Sequence, residues 1–171
     1  MWVEDGATIE LLSNINEAVN IISLGKTITI DGKSYDMTAG LSFGSDNNNL
    51  DNGIVTIKNI DFVGTGVSVK ELKKVTIQNN TFTNITANNG ITVICDNLTE
   101  EVNVSENIVS NVDSGAGIRI RNPKALNITN NNVKETSHNA ITIEGTTYGD
   151  AVITGNVLKN WGKGADNGRA I

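Results

Sequence analysis

The stretch Val75-Thr-Ile-Gln-Asn-Asn-Thr-Phe82, followed by Gly90-Ile-Thr-Val93, decides how this chain folds. Apolar residues alternate with polar ones at Val75 and Ile77, and again at Ile91 and Val93, the period of a half-buried strand. Asn79-Asn80 breaks the alternation and marks a turn, because Asn tolerates left-handed backbone and hydrogen-bonds to nearby peptide groups. The first segment recurs as Val55–Phe62, Val102–Val109, Leu126–Val133 and Ala151–Leu158, and more loosely as Ile28–Tyr35. The second recurs as Gly66–Val69, Gly117–Ile120 and Ala140–Ile143. The first segments begin at 28, 55, 75, 102, 126 and 151, so the repeat runs 20 to 27 residues.

A repeat of this length fits leucine-rich repeats or a parallel β-helix. The chain has too few Leu for the former. In a β-helix, Val75, Ile77 and Phe82 point inward and stack on their counterparts above and below. Asn80, Asn107, Asn131 and Asn156 then form a ladder at one turn, with side-chain amides bonded along the axis. The expected architecture is an all-β, right-handed, single-stranded parallel β-helix of about six rungs, each about 4.8 Å from the next. It occupies residues 1–171 as one domain, with 1–27 an irregular N-terminal rung or cap and 28–171 the repeats.

Composition agrees. Asn makes up about 15% of the 171 residues, and Val, Ile and Thr favour strands. The net charge of −6 and the lack of a Lys/Arg block argue against a nucleic-acid partner. No apolar run reaches membrane-spanning length. The lone Cys95 excludes an internal disulfide. Met1-Trp2-Val3-Glu4-Asp5-Gly6 does not read as a signal peptide. Ala170-Ile171 aligns with Ala140-Ile141, so the chain is expected to stop mid-rung without a capping repeat. The rest of a longer parent chain, or another copy, is then expected to cover the open rung.

Val-Thr-Ile-x-Asn-Asn-x-Phe followed by Gly-Ile-x-Val resembles the repeats of the pectate-lyase-like superfamily. Asp5-Gly-Ala-Thr-Ile-Glu-Leu-Leu12 and Lys26-Thr-Ile-Thr-Ile-Asp-Gly32 resemble the opening of such domains in large bacterial surface proteins and adhesins. The resemblance implies an extracellular or cell-surface location. It leaves several functions open, since the superfamily holds polysaccharide lyases, glycosidases, epimerases, phage tailspikes and non-catalytic adhesins.

Catalysis on this scaffold needs clustered carboxylates, often with Ca²⁺, on neighbouring rungs. The outward positions of the first strand form two columns. One is Thr29, Thr56, Thr76, Asn103, Asn127 and Val152; the other is Asp31, Lys58, Gln78, Ser105, Thr129 and Thr154. Neither contains a carboxylate pair. The polygalacturonase pattern is matched only loosely, by Arg119-Ile-Arg121. The loops before the second strands gather Asp113, His138, Trp161 and Asp166, with Arg119 projecting nearby. This set reads as a sugar-binding strip with Trp161 as a stacking platform. No catalytic residue is assigned. On the opposite loops, Asp96, Glu100 and Glu101, then Arg121 and Lys124, then Glu144 and Asp150 alternate in sign, which reads as charge pairing between rungs. The sequence calls for no cofactor; the one metal arrangement it allows is Ca²⁺ at Asp96, Glu100 and Glu101. The expected function is a non-enzymatic spacer of a surface protein that binds polysaccharide or cell-surface glycan weakly. A lyase or glycoside hydrolase, or a tailspike fragment, is the alternative.

Overall fold

The computed structural model describes residues 4–22, 25–44, 51–95, 99–145, 149–164 and 168–171. Among them there are strands and turns and no helix. The first three rungs each contribute two strands: β1 (Ala7–Glu10) and β2 (Val19–Ile21), β3 (Thr27–Met37) and β4 (Leu41–Phe43), β5 (Asp51–Val63) and β6 (Val67–Lys70). The next three contribute three each. These are β7 (Leu72–Gln78), β8 (Thr81–Ile85) and β9 (Ile91–Ile94); β10 (Glu101–Ser105), β11 (Ile108–Val112) and β12 (Ile118–Arg121); β13 (Ala125–Thr129), β14 (Asn132–Thr136) and β15 (Ile141–Glu144). β16 (Ala151–Thr154) and β17 (Val157–Lys159) open a further rung.

Every strand pair is parallel, each strand lying on its equivalent one rung away. The chain is therefore a parallel β-solenoid of about six turns. From Val55 onward the repeat read from the sequence is the register observed: Val75 lies opposite Val55 and Val102, and Val102 opposite Leu126. On the second rung it holds from Ile28 to Asp31, but a bulge then puts Met37, not Tyr35, opposite Phe62. β1 and β2 also keep register, with Ala7 on Ile28 and Val19 on Leu41. At the other end, the Ala140 and Ile141 N–H groups donate to the Arg169 and Ala170 carbonyls.

The core consists of apolar columns. Ile28, Val55, Val75, Val102 and Leu126 form one; Met37, Phe62, Phe82, Val109 and Val133 form another; Leu41, Val67, Ile91, Ile118 and Ile141 form a third, all buried. The Phe62 and Phe82 rings stack with centroids 4.6 Å apart. Each fully buried side chain of this kind contributes about 1.5–3 kcal/mol, which makes burial the main force joining rungs.

The corners need special backbone. At the first, Asn59, Asn79, Glu106 and Asn130 have positive φ, joined by Gly155. At the second, Asn84, Asn111, Glu135 and Asn160 do, after Gly64. The sequence pattern assigns left-handed backbone to the ladder residues. The structure places it one residue earlier, on Asn79, Glu106 and Asn130. That step turns the following Asn inward. Asn80, Asn107 and Asn131 are 2%, 0% and 1% exposed.

The ladder bonds are consistent from rung to rung. Asn107 Oδ1 accepts both the backbone N–H and the side-chain N–H of Asn80, each at 3.0 Å. Asn131 and Asn156 repeat this toward Asn107 and Asn131. Each amide nitrogen also donates to carbonyls of its own and the preceding rung, as Asn107 Nδ2 does to Ser105 and Ile77, both at 2.9 Å. The ladder starts at Asn80, which accepts the Ile60 N–H at 3.0 Å. We expect Asn107→Ala, which leaves buried donors on Asn80 unpaired, to cost about 2–4 kcal/mol. Asn156→Ala, at a half-buried position, should cost less. Denaturant titrations of the two variants would show this; equal small losses would refute it.

The first corner differs on the second rung, where β3 bulges between Asp31 and Tyr35 against β5. Asp31 is buried and closes a second, outer chain of amides. Asn79 Nδ2 donates to Asn59 Oδ1 at 2.7 Å, and Asn59 Nδ2 to Asp31 Oδ1 at 2.9 Å. Lys33 and Lys58 stand 3.5 and 3.4 Å from its other oxygen, and Lys33 also reaches Glu10 at 2.8 Å. Burial pushes the Asp31 carboxyl pKa up, but the Asn59 amide, the Lys33 N–H and the two ammonium groups outweigh it and lower it to about 2. A depressed carboxyl pKa stabilises the fold above the unfolded value and loses that contribution as pH falls through the folded one. Stability should therefore fall between about pH 4 and pH 2. Asp31→Asn should remove about 2 kcal/mol at neutral pH and flatten that acid limb. Thermal melts across pH 2–7 measure both; an unchanged acid limb in the variant would refute the assignment.

Candidate binding cleft

The strands β2, β4, β6, β9, β12 and β15 form one sheet, whose outward positions alternate with its core positions. One outward column is Asn20, Ser42, Ser68, Thr92, Arg119 and Thr142. The next is Lys70, Ile94, Arg121 and Glu144. The loops that lead into these strands stand beside the first column. They span 64–66 before β6, 86–90 before β9, 113–117 before β12 and 137–140 before β15, so the wall is longest on the middle rungs.

Small residues let these loops stack at backbone distance. A Cβ on Gly115 would lie 2.2 Å from the Asn88 carbonyl oxygen, and one on Gly90 2.8 Å from that of Gly117. Two Asn residues tie wall to floor. Asn89 Nδ2 donates to Thr92 Oγ1, and Asn139 Nδ2 to Thr142 Oγ1, both at 3.1 Å. Their oxygens accept the N–H groups of Ala116 and Arg169, at 2.9 and 2.8 Å.

Between wall and floor runs a cleft in two parts of about 670 and 440 Å³. The parts share Asn88, Asn89 and Arg119, so the depression is continuous along the solenoid axis. It extends from Ala18 to Gly168, roughly 25–30 Å at the usual rung spacing. Its polar lining combines amides and hydroxyls, among them Asn88, Asn89, Asn139, Ser114, Thr92 and Thr142, with the ionisable side chains of Lys70, Arg119, His138 and Glu144. Arg119 lies where the two parts meet. Its Nε and Nη2 donate to Glu144 Oε1 and Oε2, at 3.2 and 2.8 Å. Glu144 lies opposite Arg121 and diagonal to Arg119, which puts the guanidinium along the axis. Both side chains are more than a third exposed, and such a pair is worth at most about 1 kcal/mol.

Of the residues expected to form a sugar strip, Arg119 and His138 line this cleft. Asp113 is exposed on the same wall, one residue before Ser114, with its N–H on the Ile85 carbonyl at 2.8 Å, and is not among the lining residues. Trp161 is 38% exposed, beside Gly162, whose N–H bonds the His138 carbonyl; it too lies off the lining. Asp166 lies outside the described residues. Sequence reading puts Asn88, Asn89 and Asn139 on the same strip of loops, and Thr142 beside Arg119, without assigning them a role; it misses Glu144. The signal for a role of Asn89, Asn139 and Thr142 was the pair Asn89-Gly-Ile-Thr92 and Asn139-Ala-Ile-Thr142, which repeats one hydrogen bond on two rungs. Glu144 was read only as an edge charge.

Of the other charges, Lys70 lines the second part of the cleft, and the acids on the opposite loops pair elsewhere. Glu101 pairs with Lys74 at 2.6 Å and Glu100 with Lys73 at 3.9 Å. The Lys74 ammonium, with Asn103, holds the Glu101 carboxyl pKa below the usual range. Two acids of the expected Ca²⁺ arrangement are thus engaged by lysines, and Asp96 lies outside the described residues. Among the described residues, no three His, Cys, Asp or Glu side chains come together as a metal-binding group. No described helix is long and apolar enough to cross a membrane. Comparison with protein-family models, curated proteins and solved structures finds no match to this chain.

Proposed function

We propose that this solenoid is a rigid, non-enzymatic module of a bacterial surface protein or adhesin, of pectate-lyase-like descent, that binds a glycan chain along its axial cleft. The cleft carries the reading. It is long, open and continuous, and its amides and hydroxyls recur at rung intervals. That interval, about 4.8 Å, is close to the length of one pyranose in an extended polysaccharide. Successive sugars therefore meet similar donors and acceptors on successive rungs. The rigidity follows from the ladder and the stacked core, which leave the rungs no freedom to slide.

Turnover is the less favoured reading. Glycoside hydrolysis ordinarily uses two carboxylates flanking the scissile bond. Among the described residues lining the cleft, Glu144 is the only carboxylate, and it is held by Arg119.

A glycan array with neutral and acidic polysaccharides, with and without Ca²⁺, tests this. The protein should retain at least one extended glycan without releasing unsaturated products or reducing ends. Arg119→Ala, which alters both parts of the cleft, should weaken retention about tenfold, as expected for losing a charged hydrogen-bond donor. Trp161→Ala should leave it unchanged. Retention of no glycan would sink the reading, and product release would replace it with the lyase or hydrolase.

A further inference from the structure

Glu144 bears on which glycans the cleft accepts. An arginine recognises a carboxylate through a planar fork of two N–H groups. In Arg119 the Nε and Nη2 edge is already filled, with both Glu144 oxygens in place at 3.2 and 2.8 Å. A uronic acid entering the cleft meets a fork that is occupied and a second carboxylate beside it. To bind Arg119 side-on it must displace Glu144 while the two like charges stay close, and like-charge juxtaposition is a strong discriminator. A neutral sugar meets no such conflict. Its hydroxyls both donate and accept, so vicinal hydroxyls can take the remaining Arg119 N–H groups and the remaining Glu144 lone pairs together. Beside Arg119, Asn88, Asn89, Asn139, Ser114 and Thr142 suit the same partner because their side chains are uncharged, while the Lys70 ammonium lines the other part of the cleft.

We infer that Glu144 is a specificity-determining residue: it fills the side-on edge of Arg119 and sets a carboxylate beside any acid group at the remaining edge, so that the part of the cleft around Arg119, His138 and Thr142 favours uncharged glycans. The inference rests on the cleft being the glycan site. Its basis is an interaction rather than a composition. Glu144 is the one carboxylate among the described lining residues, and it is placed bidentately on Arg119, where the two halves of the cleft join.

The experiment compares matched oligomers of equal length by calorimetric titration: neutral hexose and N-acetylhexosamine oligomers against oligogalacturonate and oligoglucuronate. The wild-type chain should bind at least one neutral oligomer and bind the uronates at least tenfold more weakly. Glu144→Gln keeps the shape and removes the charge. It should raise uronate affinity at least tenfold, and that gain should shrink as salt is raised. The gain should vanish in the double variant Arg119→Gln, Glu144→Gln. Circular dichroism and melting midpoints of the variants establish that each is folded. Equal wild-type binding of neutral and acidic oligomers would overturn the inference while leaving the cleft reading intact. So would a Glu144→Gln variant whose preference is unchanged. Retention of no oligomer by either protein would remove the cleft reading itself, and this inference with it.

Discussion

A buried amide at the first corner is the interaction on which the rest of this structure depends. A strand that turns sharply leaves peptide groups pointing away from any ladder partner, and burying them unpaired is costly. Asn80, Asn107 and Asn131 solve this with one side chain per rung. Each oxygen takes donors from the rung before, and each nitrogen reaches carbonyls on its own rung and its neighbours. The amides therefore do more than fill a gap. They fix the vertical register, since a slip of one residue would take each amide away from the polar groups that need it and would turn every core column outward.

The ladder explains the cost accepted just before it. Left-handed backbone is unfavourable by roughly 1–2 kcal/mol for a residue with a side chain. Yet Glu106 and Glu135, which lack the short polar side chain that eases this conformation in Asn, adopt it here. At the first corner the ladder residue dictates the conformation of the residue before it. A left-handed step is what brings the next side chain inward, as Asn107 shows after Glu106. On the second and third rungs the counterparts of the ladder position are Tyr35 and Ile60, so the inner amide chain meets no further side-chain amide there and ends on the Ile60 N–H and the Ile57 carbonyl. The outer chain through Asn79 and Asn59 runs on instead and ends on the Asp31 carboxylate. A charge terminates a hydrogen-bond chain well, because it accepts from several donors at once.

The parts of this molecule that were legible in the sequence are those governed by period. The positions of Val75, Ile77 and Phe82 are apolar on rung after rung, and parallel pairing maps that repeat directly into space, so fold, register and outward columns all follow from spacing. The cleft was legible only in part. Arg119 and His138 were placed on one strip because loop and strand positions align by rung. Trp161 and Asp113 were drawn into the same strip by residue type, but a position on a loop does not fix which way its side chain faces. Glu144 was missed for a related reason. It was assigned to an edge by its place at a strand end, whereas its partner is reached diagonally, two positions away on the adjacent rung. Glu10 was missed as well: it lies beside Asp31 because β1 keeps register with β3.

The location of the cleft is set by the positions that the ladder and the core leave over. Inward positions are committed to packing, and the first corner is committed to amides. The outward face of the first sheet is a plain strand surface, with Thr8, Thr29, Thr56 and Thr76 in one column and neighbouring charges that satisfy each other at Glu10, Lys33, Asp31 and Lys58. A flat face with internally paired charges offers a ligand little, because binding sites are concave. Concavity requires a wall, and a solenoid can raise one only by lengthening a loop. The segments before β9 and β12 do this, spanning 86–90 and 113–117 where the segment before β6 spans only 64–66. These longer segments stand beside Thr92 and Arg119, where the two halves of the cleft meet.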